Sequence, residues 1–108
     1  MTTEGIEAVV LETHNWGKAA KFFQSLGFEL EFETDHHSGQ FRGKQGPSVF
    51  ITEVPETQET RTRLVLKAPG AAEPGPDIEV VTPYEPTHYG TEEMTVRDPD
   101  GRLWTLKV

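Results

Sequence analysis

One stretch of the chain reads as a helix, and its neighbours decide the fold class. In NWGKAAKFFQSLGF, Trp16, Ala19, Ala20, Phe22, Phe23 and Leu26 recur at helical spacing. Asn15 precedes them as an N-cap, and Gly27 follows as a residue able to take the left-handed conformation that ends a helix. The spacing predicts a helix over 16–26, its aromatic face laid on a sheet. Ahead of it, IEAVVLET (6–13) is apolar and β-branched, the composition of a buried strand.

The rest of the chain reads as short strands and turns. FELEFET alternates Phe28, Leu30 and Phe32 with charged residues, as a half-buried strand does. DHHSG is a turn, QFRG a short strand, KQGP a second turn and SVFITEV a strand. PETQET is a polar connector. RTRLVLKA reads as a strand, and PGAAEPGP after it holds three prolines and two glycines, so it excludes a helix interior. DIEVVTP is a strand, PYEPTHYG an irregular loop and TEEMTVR a strand. DPDG then turns the chain into RLWTLKV, with Pro99 presetting φ and Gly101 free to adopt positive φ. The second half therefore copies the first with its helix replaced by a loop.

The chain has 108 residues, enough for a single domain that folds without disulfides or a structural metal, and it has no cysteine. That excludes thiolate chemistry and fits a cytoplasmic location. MTTEGIEAVV has no basic segment leading into an apolar core, so no signal peptide is expected, and no apolar run has the ~20 residues of a membrane span. The formal net charge is −8. Such a surface repels phosphate backbones and acidic lipid, so neither nucleic acid nor membrane is an expected partner, and a cationic small molecule is favoured in approach.

Taken in order, Lys21-Phe22-Phe23, Leu26-Gly27-Phe28, Tyr89-Gly90 and Asp98-Pro99-Asp100-Gly101 resemble the vicinal oxygen chelate superfamily, which includes glyoxalase I, extradiol dioxygenases and bleomycin-resistance proteins. The resemblance implies an α+β fold of paired βαβββ modules forming a curled half-barrel sheet around a ligand cavity. Here the second module lacks its helix. Module one would span 1–54, the connector 55–60 and module two 61–108. Alternation places Trp104 and Leu106 on the face that the missing helix would cover. Either the Pro-rich loop or another subunit must then cover them, and a homodimer is expected.

Metal-dependent relatives hold a divalent ion with four His, Gln or Glu side chains, one from the first and one from the last strand of each module. The resemblance puts Ala8, Ile51, Arg63 and Thr105 at those positions, with Ile51 uncertain by one residue and Arg63 by one or two. None suits a cation. No metal, no cofactor and no catalytic residue is therefore expected. Of nearby carboxylates, Glu12 shares the face of Ala8, Glu53 shares that of Ile51, and Glu7 needs a one-residue slip. His36 and His37 lie in a turn and His14 precedes the helix, all as surface residues. His88 lies in the THYG loop near the expected cavity mouth. Adjacent Glu92 and Glu93 point to opposite strand faces.

The expected function is non-catalytic binding of a small aromatic or cationic molecule, as in the bleomycin-resistance branch. Glu12, Phe50, Thr52, Arg63, Tyr89 and Thr105 are the candidate ligand-binding residues, and Phe32 and Phe41 are further aromatics for stacking. The alternative is a metal-dependent glyoxalase-type lyase, isomerase or thiol transferase whose displaced ligands are Glu7 or Glu53 with His88. A third possibility is an interaction module acting through the Trp104 and Leu106 face.

Overall fold

A computed structural model describes residues 2–70 and 73–108; Ala71 and Ala72 of the Pro-rich stretch lie outside the described residues. The elements in chain order are β1 (Ile6–Thr13), α1 (Trp16–Ser25), β2 (Glu29–Glu33), β3 (Ser38–Arg42), β4 (Ser48–Glu53), β5 (Thr62–Lys67), β6 (Glu79–Pro86), β7 (Glu92–Arg97) and β8 (Leu103–Lys107). The chain gathers into two compact units, one of residues Ala8–Thr62 and one of Arg63–Val108 joined by the chain start up to Glu7.

In the first unit the strands lie in the order β2-β3-β4-β1, with β1 parallel to β4 and the other pairs antiparallel. α1 is the crossover helix that a parallel pair allows. Asn15 caps it, its side chain accepting the Lys18 N–H at 3.0 Å, and Gly27 follows it at φ 92°. Trp16, Phe41, Val49 and Ile51 form the core, with Leu11, Ala19, Ala20, Phe23 and Phe28 packed around them. Phe41 and Ile51 are 0% and 1% exposed, and each buried side chain stabilises by roughly 1.5–3 kcal/mol. Phe23 stacks on Phe41 at 6.1 Å between centroids, and Trp16 tilts against the same ring at 5.8 Å.

The second unit repeats this connectivity. Its strands lie in the order β5-β8-β7-β6, with β5 parallel to β8 and the other pairs antiparallel. No helix follows β5 among the described residues. Met94, Val96 and Leu106 are the core, flanked by Leu66, Tyr84 and Trp104, so Trp104 and Leu106 share one face as alternation predicts.

Three local expectations need correction. β2 is exposed along its length rather than half-buried. A bulge at Glu31 also breaks its alternation: Leu30 pairs with Phe41 and Phe32 with Gln40, which throws the two side chains to opposite faces. Third, β6 runs on through Pro83 and Pro86, where a loop was expected. It is the last strand of its sheet, so one of its edges carries no ladder, and its register shifts between Thr82 and Glu85, around Pro83, while Pro86 stays in register opposite Glu92.

Gly39 is where the first core is tightest. A Cβ there would stand 2.7 Å from the Phe32 carbonyl oxygen and 2.8 Å from Trp16 Cη2. Gly39→Ala should destabilise the protein by about 1–3 kcal/mol, read as a lower urea midpoint. An unchanged midpoint would contradict this packing.

Candidate functional site

The parallel register of β1 and β4 sorts their residues. Val9, Leu11, Val49 and Ile51 face α1, whereas Ala8, Val10 and Glu12 pair with Ser48, Phe50 and Thr52 on the opposite face, where Ser48 is buried and the other five are half-buried. Phe50 and Thr52 therefore occupy the face expected of the last-strand site position. Ile51 does not: it is core, because it has the parity that α1 covers. Glu53 shares that parity and accepts the Trp16 N–H at 3.0 Å, so it holds the helix start rather than lying on the face of Phe50 and Thr52.

Glu12, Phe50 and Thr52 are thus brought together on one face. The bulge adds Phe32, 47% exposed, whose ring lies 6.3 Å from that of Phe50 at a 43° tilt. Beside them Glu31 accepts hydrogen bonds from Gln40 Nε2 and Arg42 Nε, each at 3.0 Å, and these bonds lower its pKa, Gln40 having the larger effect. Glu12 is already engaged: one carboxylate oxygen accepts the Arg61 N–H at 3.0 Å and the other faces Gln58 Nε2 at 3.4 Å. Phe41, by contrast, is buried under α1 and unavailable for stacking.

In the second unit, Thr105 pairs with Val65 and Thr95 on the face opposite the core. Arg63, two residues before Val65, has the same parity. Thr105 is 2% exposed and its buried hydroxyl has no hydrogen-bond partner among the described residues. Tyr89 lies in the exposed loop after β6, its hydroxyl 3.4 Å from a Glu93 oxygen. Partial desolvation and then Glu93 raise its pKa, and Arg63 is near enough to oppose the shift. Glu7 sits 3.4 Å from Lys107 Nζ. His36, His37 and His88 are exposed, and His14 Nε2 lies 2.7 Å from the Gln58 carbonyl.

These residues do not fit a divalent metal. Ala8, Phe50, Thr52, Arg63 and Thr105 offer two neutral hydroxyls and a cation. Among the described residues no group of three His, Asp or Glu side chains is placed to hold a metal ion.

The sequence reading missed a cavity of about 380 Å³ in the second unit. The returning chain at Pro74, Gly75, Asp77 and Ile78 stands over Leu66, Val96, Trp104 and Leu106 without filling the space a helix would occupy. Trp104 is held there by its Nε1–H, which donates to Asp98 Oδ2 at 3.0 Å.

Turning to known proteins, no protein-family model and no curated protein matches the chain. Solved structures do. A glyoxalase/bleomycin resistance protein/dioxygenase superfamily member from Vibrio splendidus 12B01 is similar with a TM-score of 0.71 at 18% identity, over 98% of each chain. Methylmalonyl-CoA epimerase from Mycobacterium tuberculosis gives 0.67 at 12% identity, over 97% of this chain and 87% of that one. A chain described as NAD-dependent benzaldehyde dehydrogenase from Legionella pneumophila gives 0.66 at 13% identity, over 93% and 96%. The chain has the fold of the glyoxalase/bleomycin resistance/dioxygenase superfamily. Fold does not fix function, so function rests on the residues.

The Asp98 carboxylate is held down to about 2, first by the Trp104 indole N–H, then by the backbone and side chain of Arg102 and the Asp100 N–H. Its ordinary value is 3.8. Because the folded value is the lower one, its stabilising contribution is full above the ordinary value and is lost as pH falls through about 2. The Trp104 indole proton resonance should titrate with a midpoint of about 2, and Asp98→Asn should abolish that titration. A midpoint near 3.8 would contradict the bond.

Proposed function

We propose that the protein binds a small aromatic or cationic molecule without transforming it, on the face of its first unit opposite α1. The observation that carries this reading is the tilted Phe32–Phe50 pair, presented beside Thr52 and the carboxylates of Glu12 and Glu31. A planar cation gains there from the negative ring faces and from the surrounding charge, which totals −8 over the chain. Arg63, Tyr89 and Thr105 are the corresponding candidates of the second unit. Arg63 and Tyr89 present polar groups to solvent, whereas a ligand reaches the Thr105 hydroxyl only if its neighbours part.

The reading includes a homodimer, supported by exposed apolar side chains at Phe22, Leu26, Ile78, Val80 and Val81. It also includes a cytoplasmic location, supported by the lack of cysteine. Among the described residues no helix is long and apolar enough to cross a membrane.

Titration with benzyltrimethylammonium, followed by NMR, should shift the Phe32 and Phe50 ring resonances saturably, and benzoate should not. Phe50→Ala should weaken the binding by about two- to fivefold, the value of one exposed cation–π contact. No saturable shift with either probe would sink the proposal, and equal binding of the two would sink the preference for a cation.

A further inference from the structure

Each unit exposes apolar surface away from its core. In the first, α1 turns Trp16 and Phe23 to its own sheet while Phe22 and Leu26 stand 59% and 62% exposed. With Lys18 they form a single i, i+4 row, the kind of ridge that packs into a groove. Lys21, also exposed, flanks the row.

In the second unit, where no helix follows β5 among the described residues, a trough of about 380 Å³ lies between Trp104 and the returning chain at Pro74–Ile78. Its floor is apolar: Leu66, Val96 and Leu106. On its rim Asp77 is exposed, while Asp98 at the other side is already bonded to Arg102 and Trp104. The trough's one cation, Arg97, is already bonded to Glu79 at 2.8 Å.

The two surfaces are both apolar and differ in the charge beside them: the ridge carries exposed Lys18 and Lys21, and the trough has the exposed Asp77 on its rim. The first unit also demonstrates that a four-stranded sheet of this connectivity is covered by a helix. We infer that the trough of one copy receives the Lys18–Phe22–Leu26 ridge of a second copy. The contact joins two different patches, so a closed pair makes it twice. The inference rests on the homodimer reading and adds the surface that forms it.

Sedimentation velocity of the full chain across the micromolar to millimolar range tests both. Phe22→Glu on the ridge and Ile78→Glu on the trough lip alter exposed positions, so circular dichroism should report intact folds. Each variant alone should weaken self-association by at least about thirtyfold, the size of a hot-spot loss. Mixed together they should associate, because one keeps its trough and the other its ridge. A photoreactive phenylalanine analogue at position 22, in a mixture of isotope-labelled and unlabelled chains, should cross-link between copies to the segment containing Pro74–Ile78 or to Trp104. A monomeric wild type would overturn the dimer and this surface together. A wild-type dimer that Phe22→Glu leaves intact, or inter-copy cross-links to other segments only, would overturn this surface alone.

Discussion

Trp16 sits at the first turn of α1, its N–H bonded to Glu53 and its ring packed against Phe41 and over Gly39. Because a strand shows alternate residues to alternate faces, seating this helix on one side assigns every side chain of β1 and β4. Leu11, Val49 and Ile51 become core. Ala8, Glu12, Phe50 and Thr52 become the other face. A slip of one residue would bury Glu12 and Thr52 and expose Ile51, so the helix and the register hold each other in place.

The second unit has the same register, with no helix after β5 among the described residues. Its apolar face is made by Leu66, Val96, Trp104 and Leu106, and the chain between β5 and β6 is too rich in proline and glycine to cover it as a helix would. What steadies the face is the turn at its end. Asp98 accepts from the N–H groups of Asp100 and Arg102, both at 2.9 Å, and from the Trp104 indole. One carboxylate thus closes the β7–β8 turn and fixes the largest ring of the apolar face.

Much of this was legible in the sequence. The helix and its Asn15 cap, the repeat of strands, the missing second helix and the shared face of Trp104 and Leu106 follow from periodicity and from glycine and proline placement. The parity of Ile51 was not legible, because SVFITEV is apolar on both faces and only the docked helix decides which face is core. The bulge at Glu31 was hidden for a related reason: an inserted residue leaves no mark in a pattern read by strict alternation, yet it carries Phe32 to the face of Phe50. Proline within β6 misled in the opposite direction, since an edge strand tolerates what a central strand does not. The trough belongs to the folded chain alone, formed where residues distant in sequence come together.

On the proposed reading, the positions that would hold a metal in this fold, occupied by Ala8, Phe50, Thr52, Arg63 and Thr105, bind no cation, and the face of Phe32 and Phe50 binds a small molecule instead. Calorimetric titration of metal-free protein with Ni²⁺ and Zn²⁺ tests it most directly. The account predicts no stoichiometric site of micromolar or tighter affinity. One such site per chain, surviving substitution of both His36 and His37, would contradict it.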